Sequence, residues 1–238
     1  MKQQLFEDDW ILKFFKYLKN RKLMLEYLPK KRKIIFSTQE QDKLLSIRLS
    51  MQMDFELGAS ELKSSDFKNF VLILIRSGLA SVALVENEEI VDHKVFRSYM
   101  VRKKQGKSQI KYLKTKGKSR AGSRVRLAET LEFFEDINQR VNTYFDGYRI
   151  DLIGISCSQT LLPYFFGSST SSAFDKKDHR LFRIPKHIAS PTYESLKNVK
   201  NLLHLNEVKV EESGLAIFQD FIEQESKTKS DDFQNDDW

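Results

Sequence analysis

Phe70-Val-Leu-Ile-Leu-Ile75, the turn pair Ser77-Gly78 and Leu79-Ala-Ser-Val-Ala-Leu-Val85 decide the fold of this chain. Two nearly unbroken apolar runs of strand length, joined by a glycine-containing turn, predict a hairpin of central strands buried on both faces. Asn87 to Glu89 supplies the next turn, and Ile90 to Met100 reads as a third strand at the edge of the sheet. A helix from Ser123 as N-cap to about Phe145 follows, because Leu127, Leu131, Phe134, Ile137, Val141 and Tyr144 recur at intervals of three and four and make one apolar face. Asp151 to Cys157 is the next buried strand, and Leu181 to Ile184 a brief one. Pro191 opens a helix over Thr192 to Leu203. Strand and helix signals in this order predict an α/β domain whose mixed β-sheet is flanked by helices.

Outside that domain the signals are shorter. Ile11, Phe14, Phe15 and Leu18 sit at helical spacing within Asp8 to Asn20. Ile34 to Phe36 reads as an edge strand after the basic turn Lys30 to Lys33, and Leu45 to Phe55 alternates as one half-buried strand. The expected organisation is therefore a small N-terminal α+β extension or module over residues 1–59 and the main domain over 60–206. A C-terminal helix is expected over 207–224, and an acidic tail without order over 225–238.

The 238-residue chain carries a net charge of +7, and that charge is unevenly distributed. Between Val101 and Ala128 stand eleven Lys or Arg side chains and no Asp or Glu. A one-sided run of this kind repels itself and is tolerated where it is well solvated or where an anion neutralises it. Gly106, Gly117 and Gly122, with the hydroxyls of Ser108, Ser119 and Ser123 and the amide of Gln109, give it the composition of a surface loop that can approach a phosphate backbone. The start of the following helix turns its free N–H groups, with Arg124 and Arg126, toward the same space. Nucleic acid is thus the expected partner class, ahead of an anionic membrane surface.

Several chemistries find no support. The four histidines, His93, His179, His187 and His204, have no ligand spacing and no cysteine pair beside them, so no metal site is expected. Gly106-Lys107-Ser108 lacks the glycine spacing of a phosphate-binding P-loop. The single cysteine, Cys157, excludes an internal disulfide and is read as a small buried hydrophobe. No long uncharged apolar stretch or secretory leader is present, which predicts a soluble, cytoplasmic protein without a cofactor.

Gln105-Gly-Lys-Ser-Gln109, followed by Gly117-Lys-Ser-Arg-Ala-Gly-Ser-Arg-Val-Arg126 and an amphipathic helix, resembles the Vms-like release factor domain. That family is related to the catalytic middle domain of eukaryotic class one peptide chain release factors. Pro163-Tyr-Phe-Phe-Gly167, Asp178-His-Arg-Leu-Phe-Arg-Ile-Pro185 and Pro191-Thr-Tyr-Glu-Ser-Leu196 resemble later signatures of the same domain in the same order. The resemblance covers roughly Ser65 to Leu205 and implies an RNase H-like fold in a bacterial-type, stand-alone member. It further implies a monomer that enters the large ribosomal subunit, contacts rRNA and acts at the 3′ end of peptidyl-tRNA in ribosome rescue or quality control.

By that resemblance Gln109 is the catalytic residue, with Gly106 and Ser108 in its loop. Lys103, Lys104, Lys107, Lys111, Lys118, Arg120, Ser123, Arg124 and Arg126 would contact RNA. Lys107 stands where many eukaryotic members have a second glycine, and Ser119-Arg120 where they often have His-Ser. The latter departure favours ester hydrolysis over cutting of the tRNA near its CCA end. A neutral amide offers both a donor and an acceptor but is a poor base, so the expected role of Gln109 is to orient water or the terminal ribose hydroxyl. The alternatives are a tRNA endonuclease and a non-catalytic rRNA- or tRNA-binding factor.

Overall fold

The computed structural model describes residues 2–65, 67–98 and 118–234, with residues 2, 118–130 and 228–234 described by their backbone alone. The chain divides into two compact units: Lys68–Lys200 is continuous, whereas the other is assembled from Met1–Phe67 and Asn201–Trp238.

The continuous unit is built on the predicted hairpin. Strands β7 (Phe70–Arg76) and β8 (Leu79–Glu86) pair antiparallel through the turn at Gly78, whose φ of 72° lies in the left-handed region that glycine enters without penalty. Strand β9 (Glu89–Arg97) extends the hairpin antiparallel and forms the sheet edge, as its alternation of exposed residues requires. On the other side β10 (Leu152–Ser156) joins β7 in parallel, and β11 (Leu181–Arg183) joins β10 in parallel. The spatial order is β11-β10-β7-β8-β9, a mixed sheet.

Helix α2 (Lys118–Gly147) covers one face. Phe133, Phe134, Ile137, Val141 and Tyr144 are buried against Val71, Ile73 and Ile75 of β7, Ala80, Val82 and Leu84 of β8, and Ile153 and Ile155 of β10. Helix α4 (Tyr193–His204) starts against the opposite face, where Tyr193 stacks on His93 of β9 with ring centroids 4.1 Å apart. The short helix α3 (Leu162–Phe166) occupies a stretch for which the sequence carried no clear periodicity. It is fastened to α2 by Asn138, fully buried, whose Nδ2 donates to the Phe165 carbonyl at 2.8 Å and the Thr170 carbonyl at 2.9 Å.

In the discontinuous unit the sheet order is β1-β12-β4-β3-β2, antiparallel throughout. Its strands are β1 (Lys2–Phe6), β2 (Met24–Leu28), β3 (Lys33–Ser37), β4 (Lys43–Arg48) and β12 (Asn206–Val210). Helices α1 (Asp8–Lys19) and α5 (Leu215–Gln234) bury Ile11, Phe14, Phe15 and Leu18 with Phe218 and Phe221 onto Ile34, Phe36, Leu45, Ile47, Val208 and Val210. A separate ribbon pairs β5 (Met53–Glu56) with β6 (Glu61–Ser64).

Five expectations change. Helix α2 begins at Lys118, not after a cap at Ser123. A glycine inside a helix costs only about 1 kcal/mol relative to alanine, so Gly122 does not stop a helix that is propagating through good formers. Leu131 is 41% exposed although it shares the apolar periodicity. Ile34–Phe36 belongs to an interior strand, because β2 pairs along its outer side. The stretch from Leu45 to Phe55 is two strands, β4 and β5, broken where Arg32 donates to the Ser50 carbonyl at 2.8 Å. Finally, residues 207–224 contain most of β12 before any helix, and α5 runs to Gln234 through the segment expected to lack order. Polar composition there does not prevent a helix, since Glu, Gln and Lys are strong helix formers.

Candidate functional site

Strand direction sets the site. Strands β7, β10 and β11 run in parallel, so their carboxyl ends share one end of the sheet. Arg76 pairs with Leu79 and Leu79 with Arg97, which puts the exit of β9 at that same end. The last described residue of this exit, Ser98, donates its N–H to the Gly78 carbonyl at 3.0 Å and so ties it to the β7–β8 turn. Helix α2 ends beside the opposite, amino end of β10, and its first turn therefore points to the carboxyl end. At 30 residues and about 1.5 Å each it is about 45 Å long. Strand β9, with 9 residues, spans only about 30 Å, so the first turns of α2 run past the sheet.

The two elements that flank residues 99–117 in the chain are also held to each other. Arg140 of α2 forms an ion pair with Asp92 of β9, and its guanidinium carbon lies 5.2 Å from the Tyr144 ring centroid. Asn142 ties α2 to the connection ahead of β11: its Nδ2 donates to the Ser171 carbonyl, and its Oδ1 accepts from the Ala173 N–H, each at 2.9 Å. Exit strand and entry helix are thus rigidly referenced to one sheet.

Charge is polarised along the strands. The described connections at the carboxyl end, residues 76–79, 97–98, 156–161 and 183–192, contain no Asp or Glu. They carry Arg76, Arg97, Arg183 and Lys186. Glu86, Glu88, Glu89, Asp146, Asp151, Asp175 and Asp178 lie in the turns at the other end, where Asp178 pairs with Arg180 at 2.8 Å and its carboxyl is held below the usual range by the Arg180 hydrogen bond. Glu129, Glu132, Glu135 and Asp136 of α2 and Glu194 of α4 interrupt this separation. An anion approaching the carboxyl end meets low-dielectric strand ends and positive groups with no fixed carboxylate on those connections to repel it.

Of the sequence-predicted site residues, Gly106, Ser108, Gln109, Lys103, Lys104, Lys107 and Lys111 lie outside the described residues. Lys118, Arg120, Ser123, Arg124 and Arg126 lie on the backbone of the first turns of α2. Sequence reasoning missed Arg76, Ser156 and His187, which meet at the carboxyl end: Arg76 Nη2 is 3.5 Å from Ser156 Oγ and 3.4 Å from His187 Nδ1. Nearby Cys157 is half-buried, and burial pushes its thiol up to about 11, against a smaller opposing pull from Arg76. A thiol of that kind is protonated at neutral pH and is a poor nucleophile. Among the described residues no three His, Cys, Asp or Glu side chains gather as a metal site, and no helix is long and apolar enough to cross a membrane.

The continuous unit is thus a mixed α/β domain with Arg76, Arg97 and Arg183 at the carboxyl end of its sheet. The chain belongs to the Bacteroidetes VLRF1 release factor family, whose pattern matches residues 70–213. The match includes the hairpin, both flanks of residues 99–117, and strands β10 to β12. A solved structure described as the Vms1 mitochondrial localization core is similar with a TM-score of 0.40 and 13% identity, over 88% of this chain and 91% of that one. A search of curated proteins gave no match.

Proposed function

We propose that this protein is a ribosome-associated release factor that hydrolyses the ester joining a stalled nascent peptide to its tRNA. Gln109 orients water or the terminal ribose hydroxyl, and Gly106 and Ser108 let the backbone approach. The observation that carries this reading is the basic sheet end, whose described strand connections hold no carboxylate and to which β9 and the first turns of α2 both lead, in a member of a release factor family. Lys103, Lys104, Lys107, Lys111, Lys118, Arg120, Arg124 and Arg126 neutralise RNA phosphates, with Ser123 as a neutral contact, and contribute affinity without reading sequence.

The chemistry asks little of the protein. A peptidyl ester is activated enough that positioning of a nucleophile and stabilisation of the developing oxyanion can supply catalysis without a strong base. No cofactor is required. The partners in this reading are the large ribosomal subunit, its rRNA and the 3′ end of peptidyl-tRNA in the cytoplasm. Kinship of the continuous unit with the RNase H-like middle domain of class one release factors is part of the same proposal.

The test is a gel of labelled peptidyl-tRNA on stalled ribosomes after addition of purified protein. Freed peptide with intact tRNA is expected, and Gln109→Ala is expected to lower the release rate at least about 100-fold with association retained. A shortened tRNA would replace the esterase reading with a nuclease one. Association with neither product would leave a non-catalytic binding factor, and an unchanged rate in Gln109→Ala would remove that residue from the mechanism.

A further inference from the structure

Arg76 is the anomaly of the continuous unit. The other arginines of the described residues that are not exposed all face a carboxylate: Arg32 faces Asp54, Arg48 faces Glu207, Arg140 faces Asp92 and Arg180 faces Asp178. Arg76 is partly buried, and no carboxylate lies within 4.0 Å of it among the described residues. Its Nη1 donates to the Ile75 carbonyl at 2.9 Å, and its Nε is buried without a hydrogen-bond partner. The contacts of Nη2 with Ser156 Oγ and His187 Nδ1 are at the long limit of hydrogen bonding. A guanidinium placed this way carries donors and charge that the protein leaves largely unsatisfied, and both match a phosphate oxygen.

Strand parity adds a second constraint. Ile73 and Ile75 face α2, so Arg76 and Ser156 project on the other side of the sheet, where His187 reaches them ahead of α4. Arg76 and Arg97 are two strand spacings apart, about 10 Å. Arg76 and His187 therefore lie on the face of the sheet opposite α2. We propose that Arg76, with the Ser156 hydroxyl and the His187 ring, forms a second phosphate-binding site that takes a backbone phosphodiester of RNA, apart from the basic segment. It rests on the release-factor reading for the identity of that RNA. The phosphate accepts from Nη2 of Arg76, the nitrogen that faces Ser156 and His187, and from the Ser156 hydroxyl, and the site fixes the path of the bound strand.

The experiment uses the full chain and a fluorescent acceptor-stem minihelix ending in CCA, titrated by anisotropy over a range of salt. Arg76→Ala is expected to weaken binding about 10-fold and to lower the salt slope by about one ion. Arg76→Lys is expected to restore the slope with incomplete affinity, because it keeps the charge and loses the fork. Unchanged affinity and slope in a folded Arg76→Ala protein would overturn the proposal. As a second measurement on the wild-type chain, the Nε resonance of Arg76 is expected to shift with minihelix and not with inorganic phosphate at equal phosphate concentration. No shift with RNA, or a shift with inorganic phosphate alone, would also overturn it. Peptide release by wild type separates the two ideas: release with a silent Arg76 sinks only this site, whereas an Arg76 effect on RNA without release sinks only the esterase reading.

Discussion

Asn138 shows how one side chain can organise the surroundings of a site. It is fully buried on α2 and satisfies two carbonyls, of Phe165 and Thr170, that no regular element reaches. Asn138→Ala is expected to destabilise the protein by about 2 kcal/mol, read as a lower urea midpoint. Cys157 gives a chemical check on the same region. With its thiol pushed up from 9.0 to about 11, the thiolate fraction at pH 8 falls about 100-fold, so modification by a disulfide reagent at pH 8 is expected to be slower by about that factor in native than in denatured protein. A rate close to the denatured one would contradict the buried placement. At this scale the sequence was partly legible. Cys157 was expected buried in an apolar run and is half-buried just past β10, whereas Arg76 and His187 are separated by 111 positions, and no local pattern announces a cluster assembled across that distance.

Helix α2 and the β7–β8 hairpin were legible because their periods are strong and local. The interval pattern through Phe134, Ile137, Val141 and Tyr144 marks a buried helix face wherever the chain is placed. The start of α2 was not legible, since Gly122-Ser123 has the composition of a helix boundary and only the length of the propagating helix overrides it. Strands β1, β2 and β12 were missed for another reason. Lys2–Phe6 and Asn206–Val210 are short and polar, and they become strands by pairing with each other and, for β12, with β4. The turn between β12 and α5 carries a sharper prediction. A Cβ on Gly214 would lie 2.2 Å from the Leu44 carbonyl oxygen, a backbone atom that cannot rotate away. Gly214→Ala is expected to cost about 1–3 kcal/mol through that displacement, measured as a loss of stability of the discontinuous unit. Preservation of the urea midpoint would show that β4 and the turn do not sit so close.

The whole chain combines a continuous unit that was largely visible in the sequence with a discontinuous one that was not. Its boundaries at Phe67 and Asn201 leave no compositional trace, because α4 runs through the second of them. Strand β12 lies between β1 and β4 in the sheet, so truncation after Lys200 removes an interior strand and not a dispensable end. Such a truncated chain is expected to expose residues 1–67 to limited proteolysis while Lys68–Lys200 resists, and equal resistance of both would contradict the shared sheet. The same arrangement gives the molecule an order of completion. During synthesis the amino-terminal strands emerge first, yet the partner that fills the gap between β1 and β4 is made only after the whole intervening unit. The newborn protein therefore passes through a stage in which a finished α/β body is tethered to an open sheet edge, and the interval before β12 arrives is when the chain is most exposed to chaperones and to pairing with its neighbours.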